Sequence, residues 1–230
     1  MRVCFISHSA GKYGAELALL ELLQGLSKSG VHCLVLVPKK GPLLTELDRL
    51  NIEWRVIRYP PWISRKKQLP YRILRTFKGL AAVVRMAMAF SQWRCDLVYT
   101  NTIAVSAGAF AARLLRKPHI WHSHESGYRN PRVKFDLGNR WAARLIDRLS
   151  MIIIVVSHSI ADDYSPFIKP ERMRLIYQSV TPHDEVEEAI DSPSNKKSFK
   201  CVIVGSLDPW KGQDEAIKAL SELIRRGIDA

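Results

Sequence analysis

The chain has 230 residues, 47% of them apolar, with 35 Lys and Arg against 22 Asp and Glu for a net charge of +13. That length buries one full core and begins another. No run reaches the roughly 18 uninterrupted apolar residues of a spanning helix, the longest candidate over 80–90 being broken by Arg85.

In chain order, residues 1–10 meet the charge of Arg2 and the break at Gly11 before any long apolar run, so they read as a first strand, over 2–7, and not as a signal peptide. A helix over 15–27 carries Leu17, Leu20, Leu23 and Leu26, and Gly30 ends it. The alternation continues with a strand over 32–37, a helix over 42–50, a strand over 54–57 and a long helix over 70–92. Next come a strand over 96–100, a helix over 105–115, a strand over 119–122, a helix over 140–150 and a strand over 151–156. A short helix from Ser157 and a strand over 172–177 complete the series. Strands followed repeatedly by helices of this length predict an α/β domain over 1–180, an open parallel sheet with helices on both faces. Ligands bind such sheets at the carboxyl ends of the strands.

Residues 181–199 are polar, hold two prolines and lack a sustained apolar period, so they read as a linker. A new unit is expected over 200–230, with a strand over 201–205 and a helix over 213–226. One strand and one helix cannot bury both faces, so this unit is read as the truncated start of a second domain.

Cys4, Cys33, Cys95 and Cys201 lie far apart, none in a CxxC or Cys/His spacing, so no zinc motif is expected. Free cysteines in apolar runs suit a reducing cytoplasm.

Charge is distributed unevenly. Residues 1–180 hold 28 Lys and Arg against 12 Asp and Glu, and residues 54–95 hold ten basic residues and no acid. Such a block suits an anionic partner: a lipid surface, a nucleic acid or a phosphorylated substrate. Arg65, Lys66, Lys67, Arg72 and Arg75 are the expected acceptor or membrane surface. Aromatic residues interleave the block, as on a nucleic-acid surface. However, Leu69, Ile73, Phe77, Leu80 and Val84 form one apolar stripe with the charges around it. That pattern describes a core helix with a solvated basic face, or a helix lying on a membrane, and nucleic acid is not an expected partner.

Three segments can carry chemistry. SHSAGKYGAE places Gly11 and Gly14 in a turn from strand to helix, where backbone N–H groups can approach an anion. WHSHE sends His122 and His124 out of one face of a strand end, where a histidine can contact substrate or move a proton. No third ligand stands near them in sequence, so metal is not expected. In VGSLDPWKGQDEAIKAL, Lys211 sits in a loop ahead of an amphipathic helix, a point charge for a diphosphate.

This last segment resembles the opening of the second domain in the family-4 retaining glycosyltransferases, two-domain enzymes of the GT-B fold. The turn YGAE, a histidine after the fifth strand, and VSHSIADDY agree with that family in the same order. The resemblance implies a Rossmann-like amino-terminal domain on the acceptor side. It also implies transfer of a sugar from a nucleotide diphosphate sugar to a glycan or lipid-linked acceptor, with retention and without metal or cofactor. By the same resemblance His124 contacts the donor sugar, while Gly14, Gly205 and Lys211 hold its phosphates. The implied location is cytoplasmic, peripheral on the inner face of the membrane.

The sequence departs from the family in three places. Ser206 stands where an arginine is usual, Tyr177-Gln-Ser-Val replaces Tyr-Asn-Gly-Val, and no Glu-x7-Glu pair occurs in these 230 residues. A fragment lacking that pair is expected to be inactive alone. The alternatives are a sugar-nucleotide epimerase of the same architecture and a basic nucleic-acid- or membrane-binding module.

Overall fold

The computed structural model describes residues 1–63, 69–125, 127, 134–179, 200–205, 207 and 211–228, without the side chains of 69–73. The chain divides into two compact units, Met1–Thr181 and Pro182–Ala230. The expected linker over 181–199 lies outside the described residues.

The first unit alternates β1 (Arg2–Ser7), α1 (Gly14–Lys28), β2 (His32–Val37), α2 (Leu43–Arg49), β3 (Glu53–Val56) and α3 (Leu69–Gln92). It continues with β4 (Leu97–Asn101), α4 (Ala107–Leu114), β5 (His119–Ser123), α5 (Asn139–Leu149), β6 (Ile152–Val155), α6 (His158–Tyr164) and β7 (Met173–Leu175). All seven strands run parallel in the order β3-β2-β1-β4-β5-β6-β7. This is the predicted open Rossmann-like sheet with helices on both faces.

Alternation along the strands decides which helix meets which residue. Val3 and Phe5 of β1, with Cys33, Val35 and Val37 of β2, face Leu19 and Leu23 of α1 and Leu43 and Leu47 of α2. Cys4 and Ile6, with Leu34 and Leu36, face Ala82, Met86 and Phe90 of α3 and Ala107, Ala111 and Ala112 of α4. Small residues let α4 lie close to the sheet: a Cβ added to Gly108 would fall 1.8 Å from Ile6 Cδ1. A third cluster joins Trp121, Ile153 and Val155 to Ala142 and Ile146 of α5 and Ile160 and Tyr164 of α6. Ser157 caps α6 by accepting from the Ile160 N–H at 3.3 Å.

Helix α3 corrects one expectation. Phe77, Leu80 and Val84, placed on a single apolar stripe, are exposed at 66%, 59% and 55%, with Leu74 and Met88 beside them. The face turned to the core is instead Ala82, Met86, Ala89 and Phe90. That face alternates alanines with the fully buried Met86 and Phe90 and packs against Ala107, Ala111 and Ala112 of α4.

In the second unit, α7 (Gln213–Arg225) forms as predicted. The strand expected over 201–205 does not: the segment is irregular and exposed, Val202 at 84% and Val204 at 92%. A strand exists only through a neighbour's hydrogen bonds, and the described residues of this unit provide none.

Candidate functional site

In strand order, β1 lies between β2 and β4, so successive connections leave the sheet in opposite directions at the carboxyl ends of β1 and β4. That switch point is where open α/β sheets form a crevice. Three segments deliver polar side chains to it: the loop after β1, the last residue of β4 and the residues just past β5.

The loop after β1 is organised around Glu16, in the first turn of α1 and fully buried. Its carboxylate accepts from the Ser9 hydroxyl at 2.8 Å and from the Tyr13 N–H at 3.2 Å, and His8 Nδ1 lies 3.2 Å away. The Gly11 N–H donates in turn to Ser9 Oγ at 3.1 Å. A carboxylate here satisfies donors at the helix start and complements its dipole. Substituting Glu16→Ala leaves the part-buried Ser9 hydroxyl and Tyr13 N–H without their acceptor, at about 1–3 kcal/mol. Thermal denaturation is expected to show a fall of roughly 4–8 °C for a loss near 2 kcal/mol in a domain of this size. An unchanged melting temperature would refute this role.

Asn101 ends β4 and is 1% exposed. Its Nδ2 donates to Ala15 O at 2.8 Å, which fixes the amide's orientation, so Oδ1 must accept from His124 Nε2–H, also at 2.8 Å. In neutral His124 that proton placement leaves Nδ1 as a lone-pair acceptor. Burial lowers the His124 pKa, the charge of His8 lowers it further, and Glu16 opposes the shift. The His122 ring lies 4.0 Å from that of His124, with Nδ1 2.6 Å from the Tyr99 hydroxyl. Its buried Nε2 has no hydrogen-bond partner among the described residues. Burial drives the His122 pKa down to about 3, with His124 adding to the shift. Both histidines are therefore neutral near pH 7 and serve as hydrogen-bonding groups.

Thr102, next to Asn101, has φ +115°, a left-handed conformation that a β-branched residue rarely adopts. Three contacts hold it there. Its N–H donates to His122 O at 2.9 Å, its carbonyl accepts from Trp121 Nε1 at 2.7 Å, and its hydroxyl accepts from the Ala104 N–H at 3.1 Å. Strain over-determined in this way gathers at functional turns.

Of the predicted residues, His124 and Gly14 are brought into one neighbourhood, since the Asn101 amide that holds His124 also bonds Ala15, adjacent to Gly14. A Cβ on Gly14 would meet nothing within 4 Å, so open space lies over the start of α1. Lys211 and Gly205 are neighbours in the second unit: a Cβ on Gly205 would lie 3.7 Å from Lys211 Cγ. Lys211 is exposed ahead of Gly212, which caps α7 with φ +70°.

Arg65, Lys66 and Lys67 lie outside the described residues, as does the side chain of Arg72. Arg75 departs from the expectation of an outward basic surface. It is 6% exposed, pairs with Asp136 and donates to Ile63 O at 3.3 Å. A guanidinium beside an acidic group on a neighbouring loop turns inward to that partner. Sequence reasoning missed His8, Glu16, Asn101 and Thr102. A polar residue directly after the apolar run of β4 was the available signal for Asn101. Among the described residues, no group of three His, Cys, Asp or Glu is placed to hold a metal ion.

Residues 13–184 match the model of Glycosyltransferase Family 4. The chain belongs to this family. Among solved structures, it resembles Anabaena Alr3699/HepE in complex with UDP and glucose, at 22% identity and TM-score 0.69, covering 96% of this chain and 58% of that one. A glycosyltransferase from Rickettsia africae ESF-5 aligns at 16% identity and TM-score 0.62, covering 96% and 57%. A putative UDP-N-acetylglucosamine 2-epimerase from Listeria monocytogenes aligns at 13% identity and TM-score 0.51, covering 75% and 44%. At such identities the likeness is one of fold, and the chain spans about half the length of these proteins. No curated protein sequence matches the chain.

Proposed function

We propose that this family-4 chain is the acceptor-side part of an enzyme that moves a sugar from a nucleotide diphosphate sugar to a glycan or lipid-linked acceptor with retention of configuration. The observation that carries the reading is the His124–Asn101–Ala15 chain at the carboxyl edge of the sheet, beside open space over Gly14. His124 Nδ1 accepts a hydrogen bond from a hydroxyl of the donor sugar. Lys211 and the turn at Gly205 serve the diphosphate, whose charge grows as its bond to the sugar breaks. Neither histidine is needed as a base, because the departing phosphate can take the acceptor's proton on the same face. The HepE structures contain UDP-glucose or UDP with glucose, which supports a uridine nucleotide as the donor to test. The reading also places the protein in the cytoplasm, peripheral on the inner face of the membrane. Among the described residues no helix is long and apolar enough to cross one.

The epimerase alternative gains one observation, the His8–Glu16 contact, since proton abstraction needs such groups. Glu16, however, already accepts from Ser9 and Tyr13, so it reads as a cap and not as a free base.

Titration of the 230-residue chain with UDP-glucose, followed by amide resonances, tests the proposal. Small shifts at Gly14, Asn101 and His124 are expected at millimolar ligand, without turnover, because the chain spans only about half of its structural relatives. Micromolar affinity, or shifts that avoid these residues, would contradict it.

A further inference from the structure

The loop that follows β4 leaves the sheet for α4 while still buried, with Thr102 at 0% and Ile103 at 1% exposure. Backbone carbonyls in such a place need donors, and two tryptophans supply them to three consecutive residues. Trp121 Nε1–H donates to Thr102 O at 2.7 Å, Trp62 Nε1–H to Ile103 O at 2.6 Å, and the Trp62 N–H to Ala104 O at 3.0 Å. The two indoles stack on one another, with planes 20° from parallel. The Trp62 carbonyl accepts in turn from the Asp136 N–H at 2.9 Å. The loops that leave β3, β4 and β5 are therefore joined next to Asn101 in the chain.

Within this clamp, the conformation of Thr102 does not suit its residue type. At φ +115° glycine is at ease and a β-branched residue is strained. What threonine has and glycine lacks is a hydroxyl, and that hydroxyl accepts from the Ala104 N–H at 3.1 Å. This bond closes the turn on itself, with the carbonyls of residues 102–104 turned to the indole and backbone donors. On the other side, the Thr102 N–H reaches His122 O and extends the β4–β5 ladder past the Asn101–His122 pair. The backbone that carries the Asn101 amide is thereby fixed to the strand that leads to His124. That amide meets Ala15 O and His124 Nε2 at once, each at 2.8 Å. Hydrogen bonds weaken steeply as they stretch or bend, so a shift of this backbone would lose one or both.

We infer that Thr102 is a positioning residue for the candidate site: its hydroxyl holds the strained turn that aims the Asn101 amide at His124. As a statement about sugar transfer this rests on His124 contacting the donor, but the placement itself is measured without donor or acceptor.

Proton exchange at the His124 ring, followed by NMR in the 230-residue chain with isotope-labelled histidine, tests the assignment. In the parent protein the His124 Nε2–H, identified by its loss in His124→Ala, is expected to be protected from exchange with water. Thr102→Val keeps the branched shape and Thr102→Gly relieves the strain, but both lack the hydroxyl. In each, the His124 ring proton should exchange at least about tenfold faster, the factor that loss of one hydrogen bond gives. The ring proton of buried His119 should keep its rate. Thr102→Ser, which retains the hydroxyl, should retain the protection. In an active transferase carrying this domain, Thr102→Gly should lower kcat by about tenfold, short of the loss in His124→Ala. An unchanged His124 rate in folded Thr102→Gly overturns the proposal. Equal acceleration at His119 also overturns it, since that pattern marks a loss of overall stability. Faster exchange at His124 without any fall in kcat would refute contact between His124 and the donor and leave the Thr102 assignment standing.

Discussion

In an active transferase carrying this domain, His124→Ala is expected to lower kcat by roughly 100-fold, the scale of a positioned catalytic group, with little change in melting temperature. The ring is only half-buried, and the bond from Nε2 to Asn101 fixes its tautomer. Truncation thus removes a directed acceptor without opening a large void. Asn101→Ala should reproduce part of the kinetic loss, since it frees the ring to rotate and to change tautomer, and it should also orphan the carbonyl of Ala15. His122→Ala is expected to behave in the opposite way. That ring is 8% exposed, meets the Tyr99 hydroxyl and stands nearly perpendicular to the Tyr99 ring, so its removal costs stability before it costs turnover. Steady-state kinetics and thermal denaturation of the three variants give the comparison. Equal kinetic losses at His122 and His124, or full activity in His124→Ala, would defeat the assignment.

The sheet was largely legible in the sequence because its strands are buried on both faces and read as unbroken apolar runs. The bounds of β1 and β2 follow from those runs alone. What periodicity shows is which residues share a face, not which face turns inward. On α3 two stripes compete, and the one that packs against the sheet and the alanines of α4 is Ala82, Met86, Ala89 and Phe90. The segment over 201–205 has the composition of a strand, but a strand is a relation between two segments and its partner is not among the described residues.

The candidate site was legible only in part. His124 follows an apolar strand and carries a chemical signal of its own. Asn101 was hidden by a one-residue difference in the end of β4, predicted at residue 100 and found at 101. Its partners stand 86 residues before and 23 residues after it in the chain. No local pattern encodes such a contact; the parallel register of β1, β4 and β5 creates it, setting Ser7 beside Asn101 and Asn101 beside His122.

That register also buries histidines deeply enough to make the fold sensitive to acid. His119 is 2% exposed, with Nε2 2.8 Å from the Thr100 hydroxyl and Nδ1 3.3 Å from the Ser150 hydroxyl. Neither partner offers a negative charge to an imidazolium, and burial drives the His119 pKa down to about 3. His122 is held at about 3 by burial and by its neighbour His124. In the unfolded chain both return to about 6.5. Above that value both states are neutral at these positions, and stability lies on a plateau. As pH falls from 6.5 toward 3, only the unfolded chain binds the two protons, so stability drops by up to about 1.4 kcal/mol per pH unit for each histidine. By about pH 5 the loss is on the order of 2 kcal/mol per ring, before most carboxylates begin to titrate. Urea denaturation at pH values from about 7.5 to 5 should show this fall, and His119→Gln, which keeps a polar group near both hydroxyls but cannot titrate, should roughly halve its slope. A flat profile in the parent protein, or the same slope in His119→Gln, would show that these rings are hydrated enough to carry charge in the folded state.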